Sequence, residues 1–263
     1  MIAISDNVQI RKDGPSGTIV INRPDRRNAL SREIVEMLIQ ALDDFHNEKS
    51  VRAVILTGTG DTFCSGTDLH QLRETSEGKN SLELWQKDAL SMLELIEKML
   101  RFPKPIIASV NGWVVGSGLA LVLASDVVVA GDEAKLIMPE AQLGLNAGIT
   151  TPLLNFRAGS GNATRILYAG TTVDAKEACH LGLFHEVVEN ELAWARCFEI
   201  AQQCASGARE SHQMTKQLIN ETIGENLFTQ LSIGAANMAA ARTTEAAKEG
   251  VNAFLEKRDP NWG

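Results

Sequence analysis

The stretch that decides the fold is residues 104–118, KPIIASVNGWVVGSG, in which a short apolar run leads into a glycine-rich turn. Ile106 to Val110 is typical of a buried strand, and the prolines just before it end a helical pattern. Asn111-Gly112 indicates a turn. Gly116-Ser117-Gly118 then opens a segment of small and apolar residues that suits a short helix. The stretch predicts a strand, a turn and a helix that packs closely on its sheet.

Strand-like and helix-like patterns alternate around this stretch. Apolar side chains recur at helical spacing over residues 34–45 and 82–100, and Ser31 stands where a helix N-cap belongs. Strands separated by helices favour right-handed α/β crossovers. The strand-like runs that alternate with these helices are residues 18–21, 52–57, 106–110 and 127–129.

The pattern changes toward the end of the chain. From about Gly161 the strand signals fade and helical ones dominate, with alanine-rich stretches such as residues 235–241 that suit close helix packing. We therefore expect two regions: an α/β core over residues 1–199 and a helical region over residues 200–263.

A second turn resembles the first in its composition. Residues 62–69, TFCSGTDL, again lead from an apolar run through a glycine into a segment compatible with a helix. Small residues in such turns let a ligand approach the backbone, and two turns together could direct paired N–H donors at an oxyanion. From the glycines alone, two tight turns that pack helices on a sheet explain the pattern equally well.

Composition excludes several classes of protein. The 263 residues are 44% apolar and carry a formal charge of −8, which disfavours disorder and non-specific nucleic-acid binding. No apolar stretch is long enough to predict a membrane span, and the histidines have no metal-ligand spacing. The four cysteines form no CxxC pair, so we expect reduced thiols in a cytoplasmic protein without a bound metal.

Familiar nucleotide-binding motifs are absent. Residues 116–121, GSGLAL, have leucine where a dinucleotide fingerprint needs its third glycine, and no glycine cluster is followed by the Lys-Ser/Thr pair of a phosphate loop.

An ordered set of motifs resembles the enoyl-CoA hydratase/isomerase (crotonase) family from about Val8 to Arg258. The resemblance implies an α/β fold that is a crotonase-like spiral of β-β-α repeats with a helical C-terminal trimerisation region. The motifs that carry it are NRPDRRNAL at 22–30, AVILTG at 53–58, FCSGTDL at 63–69, KPIIASVNG at 104–112, GSG at 116–118, ASD at 124–126, MPE at 138–140, LG at 143–144, ACHLGLFHEVV at 178–188 and FLEKR at 254–258.

The resemblance also implies a substrate, an acyl-CoA thioester, so that coenzyme A enters with the substrate and no other cofactor is needed. By motif, the backbone amides of Thr67 and Ser117 form an oxyanion hole for an enolate, although Ser117 replaces a common glycine. Arg26 matches a position that holds CoA phosphates. Phe254 and Lys257 match a last-helix position that reaches the nucleotide of a neighbouring subunit. Further substrate contacts are implied at Ser65, Gly66, Asp68, Leu69 and Gly116, with Asp68 also interpreted as a helix cap.

The acid–base positions separate the possible reactions. Family hydratases use two glutamates, and here Glu140 matches one of them while Ala120 stands at the other. One glutamate is enough to move a proton between C2 and C4, so the sequence favours double-bond isomerisation over hydration. His70 or Glu74 remains an alternative second acid for a hydratase.

Other functions of a protein with this fold stay open. They are a CoA-thioester hydrolase, a C–C lyase and a non-catalytic acyl-CoA-binding protein. The expected partners are the acyl-CoA substrate and further copies of the chain, in a homotrimer or a hexamer built as a dimer of trimers. Neither a nucleic acid nor a membrane is expected as a partner.

Overall fold

The computed structural model describes residues 2–3 and 6–262, which form two β-sheets with helices packed around them. The strands are β1 Ile2–Ala3, β2 Val8–Asp13, β3 Ser16–Ile21, β4 Ala53–Gly58, β5 Thr62–Cys64, β6 Ile106–Val110, β7 Trp113–Val115, β8 Val127–Gly131, β9 Lys135–Ile137, β10 Val173–Asp174 and β11 Glu186–Val188. The helices are α1 Arg32–Asn47, α2 Leu69–Ser76, α3 Ser81–Arg101, α4 Ser117–Leu123, α5 Thr150–Ala169, α6 Ala175–His180, α7 Ala193–Ala205, α8 Arg209–Gln217, α9 Glu225–Ala241 and α10 Glu245–Leu255.

The larger sheet has seven strands in the order β1-β2-β3-β4-β6-β8-β11. Its first three strands are antiparallel neighbours, and every pair from β3 to β11 is parallel. Parallel neighbours need crossover connections, which α1 and α3 supply between β3, β4 and β6. The smaller sheet has the order β10-β9-β7-β5 and is parallel from β9 to β5.

Both faces of the larger sheet are covered, as its parallel strands require. In β4, Val54 and Leu56 belong to the main core with residues of α1 and α3, whereas Ala53 and Ile55 pack on the opposite face with Cys197 of α7. Successive side chains of a strand point to opposite faces, so the uninterrupted apolar run of β4 fits burial on two sides.

The predicted elements before residue 130 are confirmed, and Ser31 caps α1 by accepting a hydrogen bond from the Ile34 amide. The late strands β10 and β11 were not expected, because each is only two or three residues long and completes an edge of a sheet built earlier in the chain. Helix α7 crosses the predicted division at residues 199 and 200. The division itself stays a prediction.

The connection between the sheets positions the two glycine-rich turns. Strands β5 and β7 are parallel neighbours, so their carboxyl ends lie at the same edge of the smaller sheet. The turns that follow them, which lead into α2 and α4, therefore meet. Among the described residues, no helix is long and apolar enough to cross a membrane.

Candidate active site

The two turns touch through backbone atoms at Gly66. This residue has φ of +79°, and a Cβ atom built on it would lie 2.6 Å from the Val115 carbonyl oxygen and 3.2 Å from the Ser117 nitrogen. Both the left-handed backbone and the close approach require glycine at this position. Gly66 therefore fixes the separation between the first turn and the second.

Each turn presents one free amide next to this contact. Leu30 donates its N–H to the Gly66 carbonyl at 2.7 Å and accepts the Asp68 N–H at 3.1 Å, so the N–H of the intervening Thr67 points away from that pairing. Ser117 is the first residue of α4, a position whose N–H has no partner within the helix. Within residues 2–3 and 6–262, neither amide has an acceptor.

The hydroxyl groups of the same two residues also meet. Thr67 Oγ1 and Ser117 Oγ lie 3.1 Å apart and share a hydrogen bond. The serine side chain therefore turns toward Thr67, and this hydrogen bond ties the two turns together beside their amides.

Glu140 lies against the second turn. It follows β9 and Pro139, and a Cβ atom built on Gly116 would lie 2.7 Å from Glu140 Oε1. The Glu140 Oε2 atom is buried and has no hydrogen-bond partner among the described residues. Burial raises the pKa of Glu140 to about 7, because the carboxylate loses its hydration. Glu140 is thus able to accept and release a proton near neutral pH.

Asp68 is the second buried carboxyl group near the turns, and its surroundings differ. Its Oδ1 atom accepts hydrogen bonds from the amides of His70 and Gln71, which confirms the predicted cap of α2. Its Oδ2 atom accepts a hydrogen bond from Arg23 Nη1 at 2.7 Å. Burial alone raises the pKa of Asp68, but these hydrogen bonds together lower the pKa below its usual value. Asp68 therefore stays ionised and structural.

A cavity of about 740 Å³ joins these groups. Its apolar wall includes Ile137, Leu143 and Leu145, and it is large enough for a small organic ligand. The predicted site residues that line it are Arg26, Ser65, Thr67, Asp68, Leu69, Gly116, Ser117, Glu140 and Phe254.

Two predicted site residues do not line the cavity, and neither does Ala120, which stands where family hydratases have a second glutamate. Gly66 supports the turn without lining the cavity, and Lys257 is exposed just beyond α10. Ala120 is fully buried in the main core and does not line the cavity. Of the alternative second acids, His70 lines the cavity and Glu74 does not.

Two residues that line the cavity were not predicted from the sequence. Met238 lies in the last turn of α9, and Arg242 directly follows that helix. One signal was available for Arg242, since residues 226–241 contain no charged side chain and Arg242 comes directly after them. The first charged residue after such an apolar helix is a candidate for a buried charge.

The arrangement combines two free N–H donors with one unpaired carboxyl group in a largely apolar cavity. Fixed donors of this kind stabilise negative charge that develops on an oxygen atom. A carboxyl group with a pKa near 7 can act as a base and then as an acid in the same reaction. The site is therefore equipped for proton transfer next to a carbonyl group.

Comparison with known proteins agrees with this geometry. The family model for enoyl-CoA hydratase/isomerase matches residues 16–263. The short-chain-enoyl-CoA hydratase of Clostridium acetobutylicum is 32% identical over 257 residues, covering 96% of each chain. The 1,2-epoxyphenylacetyl-CoA isomerase of Escherichia coli K12 is 31% identical over 247 residues, covering 93% of this chain and 94% of that protein.

Solved structures with the same fold come from the same family. The crystal structure of an enoyl-CoA hydratase/isomerase from Pseudoalteromonas atlantica T6c matches with a TM-score of 0.84 and 31% identity, over 98% of this chain and 100% of the other. This match confirms the predicted fold class, an α/β crotonase fold with C-terminal helices. The chain belongs to the enoyl-CoA hydratase/isomerase (crotonase) family and is a crotonase-family enzyme of acyl-CoA thioesters.

Proposed function

We propose that the protein isomerises the double bond of enoyl-CoA thioesters, moving it between the 3,4 and 2,3 positions. The observation that carries this proposal is the position of Glu140 beside the two free amides. Its buried Oε2 atom has no hydrogen-bond partner among the described residues. Ala120 supports the same reaction, since its methyl group is enclosed in the core where a hydratase of the family has a second glutamate.

The proposed reaction needs one carboxylate and one oxyanion site. Glu140 removes a proton from C2 of the 3-enoyl thioester, and the electron pair delocalises onto the thioester oxygen. The N–H groups of Thr67 and Ser117 donate hydrogen bonds to that oxygen. Glu140 then returns the proton to C4, and the double bond forms between C2 and C3. Atoms and charge balance without a redox cofactor, because coenzyme A is part of the substrate.

We further propose that the CoA portion binds at the mouth of the cavity. Arg26 is exposed there, so a phosphate has a cation within reach. Phe254 lines this chain's own cavity instead of a neighbour's and is 60% exposed, so an adenine ring has an aromatic surface within reach. Ser65 and Leu69 line the wall between this mouth and the amides. Lys257 is the cation that a neighbouring copy of the chain contributes in this proposal.

Assembly into a homotrimer, or into a dimer of trimers, is part of the same proposal. The helical region carries large apolar side chains that are more than half exposed in the single chain, which favours their burial against another copy. They are Met214, Leu218, Ile223 and Ile233. Light scattering after gel filtration tests the assembly, and a monomer at micromolar concentration contradicts it.

The reaction is tested with purified protein, a 3-enoyl-CoA and a 2-enoyl-CoA. We expect the wild-type protein to convert the 3-enoyl thioester to the conjugated 2-enoyl thioester, which is followed by its ultraviolet absorbance. Glu140→Gln keeps the size of the side chain but cannot accept the proton, and we expect turnover to fall about 1,000-fold. Equal turnover by both proteins contradicts the role of Glu140.

The role of the Ser117 amide has its own matched pair of variants. Ser117→Pro removes the N–H at the first position of a helix, where proline is well tolerated. We expect it to lower kcat about 100-fold or more. Ser117→Gly keeps the N–H and removes the hydroxyl group, so we expect kcat to change by less than about threefold. Similar losses in both variants indicate that the hydroxyl group matters instead.

Hydration is a second candidate because His70 lines the cavity and could orient a water molecule. A hydratase converts the 2-enoyl thioester to a product heavier by one water molecule, and mass spectrometry detects it. We expect little of this product from the wild-type protein. Rapid hydration that His70→Ala abolishes favours the hydratase, whereas release of free CoA indicates a hydrolase and loss of carbon indicates a lyase.

A further inference from the structure

A second, smaller cavity continues from the main one beyond the amide donors. Its volume is about 50 Å³, enough for a group of a few atoms but not for a separate organic ligand. The residues that line both cavities are Thr67, Asp68, Ser117, Met238 and Arg242. The two cavities therefore adjoin at these residues, beside the hydroxyl groups of Thr67 and Ser117.

Arg242 is the buried charge at this junction. Its side chain is only 6% exposed, and its Nη1 atom donates one hydrogen bond of 3.4 Å to Asp88 Oδ2. A guanidinium group has five N–H donors. No other acceptor contacts the Arg242 guanidinium among the residues that the structure describes. Most of its hydrogen-bonding capacity is therefore unused in the free chain.

Asp88 does not neutralise Arg242 alone. Arg32 binds the same carboxylate with two hydrogen bonds, from Nε at 2.5 Å and from Nη2 at 2.9 Å. Two guanidinium groups thus share one negative charge, and both hydrogen bonds from Arg32 are shorter than the one from Arg242. The local balance leaves an excess of one positive charge at Arg242.

Other charges that face the smaller cavity do not compensate for this excess. Glu36 and Lys87 are both exposed at its rim and have opposite signs. Asp68 is paired with Arg23 and also caps α2. A buried charge without a full partner is costly unless a ligand supplies the missing acceptor.

We propose that Arg242 recognises a carboxylate at the far end of the acyl chain, so that the preferred substrates are CoA mono-thioesters of dicarboxylic acids. The proposal rests on the proposed function in one respect, that an acyl-CoA thioester fills the main cavity. With the thioester oxygen at the Thr67 and Ser117 amides, an acyl chain that bends toward Met238 brings its end to Arg242. A carboxylate matches the planar guanidinium group with two parallel hydrogen bonds, whereas a methyl end leaves it unpaired.

Binding of saturated thioesters tests this subsite independently of turnover. Titration calorimetry compares saturated acyl-CoAs of six and of eight carbons, each with and without a terminal carboxylate. We expect the wild-type protein to bind the better-fitting carboxylated thioester about 10- to 100-fold more tightly than its uncarboxylated counterpart. Arg242→Met removes this preference, and Arg242→Lys, which keeps the charge but not the planar fork, recovers part of it.

Controls separate a local role from general electrostatics and from misfolding. Lys79→Met removes an exposed cation that lines neither cavity, and the preference is expected to persist. We expect Arg242→Met to fold, because the Arg32–Asp88 ion pair does not involve Arg242. Thermal melting checks this. The wild-type comparison itself needs no variant.

The outcomes distinguish this subsite from the proposed function. Equal affinity of the wild-type protein for carboxylated and uncarboxylated thioesters overturns the subsite alone, as does a preference that Arg242→Met retains. A carboxylate preference in a protein that does not isomerise enoyl-CoA supports the subsite and overturns the isomerase. Failure to bind any of the thioesters overturns both.

Discussion

Two carboxyl groups line the same cavity, and they differ in their hydrogen-bond partners. Asp68 accepts hydrogen bonds from Arg23 and from two amides, which lower its pKa. Glu140 has a buried Oε2 atom that lacks a partner within the described part of the chain, and its pKa rises to about 7. Burial raises the pKa of both groups, and only Asp68 has hydrogen-bond donors that lower its pKa again, so Asp68 stays ionised while Glu140 can exchange a proton near neutral pH.

Among variants that keep both carboxyl groups, the largest effect on turnover is expected where the position of Glu140 is disturbed. In Gly116→Ala the new Cβ atom would lie 2.7 Å from Glu140 Oε1, so the carboxyl group must move. We expect kcat for isomerisation to fall at least about 100-fold, because a displacement of about 1 Å is enough for such a loss. A stopped assay with a saturating 3-enoyl-CoA measures it.

A matched variant separates displacement from backbone strain. Gly182 also has a positive φ, of +74°, but a Cβ atom there would meet nothing within 4 Å. Gly182→Ala therefore carries the strain without the collision, and its kcat is expected to stay near that of the wild-type protein. Equal losses in the two variants mean that Glu140 tolerates the displacement.

The pH dependence of turnover is the next effect in size. Glu140 must be ionised to act as a base, so kcat at saturating substrate is expected to fall about tenfold for each pH unit below 7 and to level off above it. The fall from the plateau above pH 8 to pH 5 is then about 100-fold. Asp68→Asn is expected to keep the same inflection. A profile that is flat from pH 5 to pH 8 argues against Glu140 as the base.

These contrasts show what the sequence could and could not predict. The caps formed by Ser31 and Asp68 were predictable, because each side chain binds amides two or three residues ahead of it in the chain. The raised pKa of Glu140 was not predictable, since it depends on how deeply the carboxyl group is buried in the packed chain. Such conditions exist only after the second turn has packed against β9.

The surroundings of Arg242 also depend on contacts between distant parts of the chain. Its hydrogen bond to Asp88 joins the end of α9 to α3, and Arg32 reaches the same carboxylate from α1. No local pattern predicts that three helices place two arginines on one aspartate. The ordered motifs around Gly66 and Gly116 predicted the fold because each carries its own backbone geometry, whereas charge balance is a property of the packed chain.

Stability tests the same contrast with smaller effects, and the two carboxyl groups are expected to change the free energy of unfolding in opposite directions. In Asp68→Asn the amide can still cap α2, but Arg23 loses its charged partner. We expect the free energy of unfolding at pH 7 to fall by about 2–3 kcal/mol. The lowered pKa of Asp68 means that its contribution is present above its ordinary value of 3.8 and is lost as the pH falls through the folded value. Urea unfolding at pH 7 and at pH 3 measures the difference, which should be smaller at pH 3.

Glu140→Gln is expected to change the free energy of unfolding with the reverse sign. The pKa of Glu140 is about 7 in the folded chain and near 4.5 in the unfolded chain, so its contribution to stability is largest below pH 4.5 and is lost as the pH rises through 7. Above pH 7 the wild-type protein holds a buried charge that glutamine lacks. The variant should therefore be more stable at pH 8.5, by up to about 3 kcal/mol, and nearly unchanged at pH 4. Thermal melting at the two values measures this. A variant that is less stable at pH 8.5 implies that the ionised Glu140 has a favourable partner, and the contrast with Asp68 then fails.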